Sequence, residues 1–186
     1  MEIKKNILTL GKRARSGAKF TKPVTKIVIH WIGPYPSHQP SGVRAWWEKG
    51  NDDGGVQASA HFIVKEGECL QCLPLNEVGW HSGDARNYES IGIEVIPVNK
   101  AGEFSKNTID TLCSLIRHIR EEVNSNLQIE RHFDGVQKKD CPRFYTSVTK
   151  DSGVDGRVEN PEGGDQRWEE LKLFLNDCDK ISLNAV

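Results

Sequence analysis

The stretch KIVIHW, residues 26–31, constrains the fold more than any other part of the chain. Ile27, Val28 and Ile29 follow one another without a polar break, so a strand here is buried on both faces and needs cover on each. The run nevertheless ends on an imidazole, His30, with Trp31 next and a glycine turn at Gly33. A lone histidine in such a place reads first as a core residue, hydrogen-bonded inside the fold. What else it could be depends on the rest of the chain.

Strand-like and helix-like segments alternate along the sequence. Ser41 is placed to cap a helix that runs to about Gly50 and carries Val43, Trp46 and Trp47, both tryptophans reading as packing residues. A loop follows at 51–55. Residues 58–64 and 68–73 flank Glu66-Gly67 and read as a hairpin. Residues 90–96 alternate strictly, with Ile91, Ile93 and Val95 on one face and Gly92 and Glu94 on the other. Helical spacing of Ile109, Leu112, Cys113, Ile116 and Ile119 predicts a helix over 108–123, capped by Asn107, with His118 on its solvated side. Residues 127–132 form a fifth strand, and 166–176 a closing helix with Trp168, Leu171, Phe174 and Leu175. Between these, 147–165 is rich in Gly, Asp and Asn and reads as a long loop. The expected fold is α/β, a single domain with a central mixed β-sheet flanked by helices. Residues 1–23 form a lead-in, 24–180 the domain and 181–186 a tail.

At 186 residues the chain can bury a core without staples. A formal charge of −1, with no basic block, argues against a nucleic-acid partner. The apolar part of the N-terminus, residues 7–10, is too short for a signal-peptide core or a membrane span. Synthesis in the cytoplasm without a signal peptide is therefore expected. Five cysteines in that setting do not suggest a disulfide framework. Cys69 and Cys72 form a CxxC inside strand-like sequence with no second pair, and Cys113 and Cys178 read as small apolar residues.

Cys141 is different. His30 ends the first strand, His132 the fifth, and Cys141 follows nine residues later. Two imidazoles and a thiolate suit a catalytic zinc, with a fourth position left for water. Pro142 favours extended geometry at Cys141, so Lys139 and Cys141 should project to the same side. A lysine beside a cation makes sense if an anion forms between them. Scattered histidines and cysteines also occur by chance, so spacing alone leaves metal binding and plain packing both open.

The segments KIVIHW, SAHFIVKEGE, VGWHSGDARNYESIGIEV and RHFDGVQKKDCP occur here in order. Their sequence and spacing resemble the zinc-dependent N-acetylmuramoyl-L-alanine amidases of type 2, related to peptidoglycan recognition proteins. Phage and prophage wall-lytic endolysins are the nearest branch, and the likeness spans roughly residues 24–176. It implies one Zn²⁺ per chain on His30, His132 and Cys141. Glu94 would be the base that takes a proton from the attacking water, and Lys139 would face the oxyanion. Trp80 and His81 match the loop that lines the substrate cleft, with His81 as a substrate or transition-state contact, and Asn87 matches a substrate-binding position bordering the same cleft. Ala60 departs from those members with a tyrosine there, which places the base role more firmly on Glu94. Gly92 would leave room for substrate beside that carboxylate. His61 reads as a strand histidine bonded within the fold, and His38 has no assigned role.

The implied reaction is hydrolysis of the amide between the lactyl group of N-acetylmuramic acid and L-alanine in bacterial peptidoglycan. A monomer without membrane insertion is expected, reaching the wall through a holin-like pore or lysis. Two alternatives stay open: a non-catalytic wall-binding module, and a zinc peptidase acting on the stem peptide.

Overall fold

In the computed structural model, which describes residues 1–49, 57–136, 139–147 and 162–178, the run at 26–31 lies inside a sheet covered on both faces. Its strands are β1 (Ile3–Lys5), β2 (Lys26–Trp31), β3 (Phe62–Lys65), β4 (Glu68–Gln71), β5 (Ser90–Val95) and β6 (Gln128–Arg131). Among the described residues they form one six-stranded sheet in the order β1-β4-β3-β5-β2-β6. β2 pairs in parallel with both β5 and β6, and β3 in parallel with β5. β3 and β4 are antiparallel, joined by Glu66 (φ 43°) and Gly67 (φ 90°), two left-handed residues that suit a tight hairpin. The sheet is mixed, as expected.

The helices are α1 (Pro40–Lys49), α2 (Lys106–Glu122), the single turn α3 (His132–Gly135) and α4 (Gly164–Asn176). On one face, Ile27, Ile29, Ile91 and Ile93 pack with Leu112, Ile116 and Ile119 of α2 and Trp168 and Leu171 of α4. On the other, Ile63 and Leu70 meet Val43 and Trp47 of α1. Each such side chain contributes about 1.5–3 kcal/mol by leaving water. α1 packs over β3 and β4, beside the β5–β2 pair that carries Glu94 and His30.

Several expectations change. α1 starts at Pro40, whose fixed φ suits the first helical position, so Ser41 lies inside the helix. Trp47 is buried, but Trp46 is 55% exposed and does not pack. α2 is capped by Ser105, whose hydroxyl accepts from the Thr108 N–H; Asn107 falls within the helix. His118 is half-buried. The segment taken as a lead-in supplies β1, paired in parallel with β4, and buries Leu8 and Ala14 in the core. Cys113 and Cys178 are disulfide-bonded, because α2 and α4 pack side by side and bring them together. The absence of a disulfide framework is corrected accordingly. Cys69 and Cys72 are buried free thiols. Residues 50–56, 148–161 and 179–186 lie outside the described residues, and with them the loop at 51–55, most of that at 147–165 and the tail.

Candidate metal centre

β5, β2 and β6 run parallel, so their C-terminal ends share one edge, where open α/β sheets place their ligands. His30 is the penultimate residue of β2, and its register partner on β5 is Glu94. β6 pairs Arg131 with Ile29, which brings the next residue, His132, level with His30. His132 opens α3 instead of ending the strand. Cys141 is tied to the neighbours of both histidines. Its carbonyl accepts from the Phe133 N–H at 2.9 Å, and its Sγ from the Trp31 N–H at 3.5 Å.

The three side chains converge as expected. His30 Nδ1 lies 3.0 Å from His132 Nδ1 and 3.8 Å from Cys141 Sγ, and the three atoms fall within 4.8 Å of one another, all in buried residues. Hydrogen positions follow from the surrounding acceptors. A carbonyl can only accept, so His132 Nε2 carries its proton towards Ser82 O at 2.8 Å and leaves Nδ1 with a lone pair. Ser90 Oγ donates to Arg86 O at 2.5 Å and must therefore accept from His81 Nε2 at 3.4 Å. His81 Nδ1 is then unprotonated and accepts from His30 Nε2 at 3.0 Å. His30 Nδ1 is left with a lone pair as well.

Two imidazole lone pairs thus face each other beside a sulfur, an arrangement that repels unless a cation lies between them. Tetrahedral zinc with bonds of about 2.0 Å to nitrogen and 2.3 Å to sulfur sets its ligand atoms about 3.3–3.5 Å apart. The donor set and spacing fit that ion. Burial pushes His30 well below the usual imidazole range and His132 down to about 4, so both rings are neutral, as ligands must be. Burial, helped by the Glu94 charge, raises the Cys141 thiol well above its ordinary value. A bound cation would reverse that.

Glu94 is partly exposed, but its Oε2 is out of solvent and has no hydrogen-bond partner. Burial raises its carboxyl to about 7, against a lowering pull from Lys139. Lys139 is exposed, and its charge is felt at His30, Glu94, His132 and Cys141. No ion pair joins it to Glu94 among the described residues. The segment before Cys141 is not extended: the Cys141 N–H closes a tight turn on Lys139 O at 3.0 Å.

The space at Gly92 is not open to substrate. A Cβ there would come within 2.4 Å of the His81 ring, which occupies it. Asn87 is buried, its Oδ1 accepting from the N–H groups of His81 and Ser82 and from the Ser82 hydroxyl. Trp80 and Tyr88 meet edge to face and, with Gln57, Gly83, Asp84 and Asn87, line a pocket of about 310 Å³. His61 is buried and bonded within the fold, as expected: it donates to Glu77 O at 2.8 Å and accepts from the Gly92 N–H at 3.1 Å. His38 stacks on Tyr35.

Sequence reasoning missed the residues that hold the ligands. Arg86 is buried, forks onto Asp84 and donates to His132 O at 2.9 Å and Arg131 O at 3.3 Å. Ser82 contributes a carbonyl, which no side-chain motif encodes.

The family model for N-acetylmuramoyl-L-alanine amidase matches residues 20–144. N-acetylmuramoyl-L-alanine amidase XlyA of Bacillus subtilis (strain 168) is 41% identical over 91 residues, which cover 46% of this chain and 29% of XlyA. The amidase CwlH of the same organism is 38% identical over 89 residues, covering 46% of this chain and 35% of CwlH. The matches therefore span about a third of these relatives' lengths. Among solved structures, the catalytic domain of XlyA superposes with a TM-score of 0.62 at 28% identity, covering 77% of this chain and 91% of that one. A mutant endolysin from Bacillus subtilis shares the fold, with a TM-score of 0.67 at 23% identity over 94% of this chain and 99% of its own.

Proposed function

Because the chain belongs to the N-acetylmuramoyl-L-alanine amidase family, we propose that it hydrolyses the amide between the lactyl group of N-acetylmuramic acid and the L-alanine of the peptidoglycan stem. The observation that carries this reading is the convergence of His30, His132 and Cys141 beside the unpaired Oε2 of Glu94. His30 Nδ1, His132 Nδ1 and Cys141 Sγ would hold the zinc. When bound, it supplies a Lewis acid that acidifies water and polarises a carbonyl.

The chain's own groups do the rest. Glu94 takes a proton at its carboxylate as water attacks the lactyl carbonyl, then returns it to the leaving alanine nitrogen. Burial raises its carboxyl to about 7 in the metal-free protein, which strengthens it as a proton acceptor against the lowering pull of the cation. Lys139, on the exposed rim, faces the developing oxyanion. Trp80 and Tyr88 wall the cleft where the stem peptide lies.

No helix among the described residues is long and apolar enough to cross a membrane, and the polymer substrate lies outside the one that encloses the cell. A lytic role after release through a holin-like pore or lysis, acting as a monomer, suits this chemistry. The test is digestion of purified peptidoglycan. New N-terminal alanine without new reducing ends is expected; cleavage between stem residues would point to a peptidase, and no cleavage to a binding module.

A further inference from the structure

We propose that His81 is a positioning residue for the metal centre: its Nδ1 accepts from His30 Nε2 and holds the His30 ring with Nδ1 turned towards His132 and Cys141.

An imidazole has two nitrogens, and both of those on His81 are engaged inside the protein. Nδ1 lies 3.0 Å from His30 Nε2 and Nε2 lies 3.4 Å from Ser90 Oγ. Neither is left to meet a substrate. The chain His30 to His81 to Ser90 ends on the Arg86 carbonyl, which fixes the direction of every proton in it. The same loop serves the second ligand, since Ser82 O accepts from His132 Nε2. One short segment thus sets the tautomer of both histidines, and Asn87 holds its two functional residues by accepting from the N–H groups of His81 and Ser82.

Gly92 completes the device. The His81 ring rests on β5 where any Cβ would meet its Cγ at 2.4 Å. The ring therefore packs against backbone on one side and makes an edge contact with His30, with centroids 5.1 Å apart, on the other. Partners of this kind, which orient a ligating histidine, change metal affinity by about 10- to 100-fold when removed.

The inference rests on the amidase reading only in taking the cluster to hold zinc. Zinc affinity, measured by competition with a chelator of known strength and checked by the absorption of the cobalt(II)-substituted protein, is the readout. His81→Ala should bind zinc about 10- to 100-fold more weakly. With zinc in excess, its KM for a soluble muropeptide should stay at the wild-type value. His81→Asn places an amide oxygen where Nδ1 was and should restore most of the affinity. Gly92→Ala, which pushes the ring off its seat while leaving the imidazole present, should lose affinity like His81→Ala. Wild-type zinc affinity in His81→Ala with a raised KM would make His81 a substrate contact and overturn the proposal. Failure of the wild-type chain to bind zinc would instead overturn the metal reading on which it stands.

Discussion

A carboxylate between strands is tolerated only where it lines a cleft or finds a partner, and Glu94 has found none for its Oε2. Its raised pKa of about 7 has burial as its first cause. As a base it must be ionised, and a bound cation lowers its carboxyl from the metal-free value of about 7, so turnover should rise with pH to a plateau reached below about 7. Glu94→Gln keeps the shape and removes the basic site. It should bind zinc normally and lose about 10²–10⁴ in turnover, with the acid limb of the pH profile removed. Wild-type specific activity in a well-folded Glu94→Gln protein would remove the residue from the mechanism. Strand alternation had already placed Glu94 opposite Ile91, Ile93 and Val95. Alternation could not show that the neighbouring Gly92 seats His81, because that ring arrives from a preceding loop whose path depends on tertiary contacts.

Elements were legible where periodicity was strong. The apolar runs of β2 and β5 and the stripe of α2 stand out in the sequence. β1 did not, being three residues, IKK, with two lysines, recognisable only from its pairing with β4. Helix ends shifted for local reasons, as Pro40 and Ser105 illustrate. The pairing of Cys113 with Cys178 was hidden because it depends on how α2 and α4 pack, not on spacing. The bond closes a loop with a sequence separation of 65, and by the chain-entropy argument it stabilises the fold by about 4 kcal/mol. Cys113→Ser should therefore lower the unfolding midpoint in urea by a corresponding amount. The pair lies between α2 and α4, on the far face of the sheet from Glu94, and shares its apolar core with Cys141, so any change in zinc affinity should be small beside the change in stability. A stability equal to wild type under oxidising conditions would show that the bond carries no load.

At the scale of the whole molecule, the two cores lie on opposite faces of the sheet, and of the three ligands only Cys141 belongs to one of them. There it is one apolar side chain among many, so the fold should survive removal of metal. What metal removal exposes is acid sensitivity. Burial lowers His61 and His132 from 6.5 to about 4, and pushes His30 and His81 down as well. A group whose folded pKa is depressed stabilises fully above its unfolded pKa, and that contribution is lost as pH falls through the folded value. For His61 and His132 this is at most roughly 3 kcal/mol each. Glu94 acts in the opposite sense: its raised pKa gives stability below 4.5 that is lost as pH rises through about 7. Several histidines oppose one carboxylate, so the histidines set the sign. The metal-free protein should be folded at pH 7.5 and lose stability steadily between pH 6.5 and 4, as read by urea unfolding at a series of pH values. His61 contributes without touching the metal, since protonating its Nδ1 breaks the bond from the Gly92 N–H. His61→Gln, which retains a donor and an acceptor but does not titrate, should therefore flatten part of that slope. A metal-free stability that stayed level from pH 7.5 to 4.5 would mean that the buried imidazoles are not held neutral, and the tautomer chain that positions the ligands would fall with them.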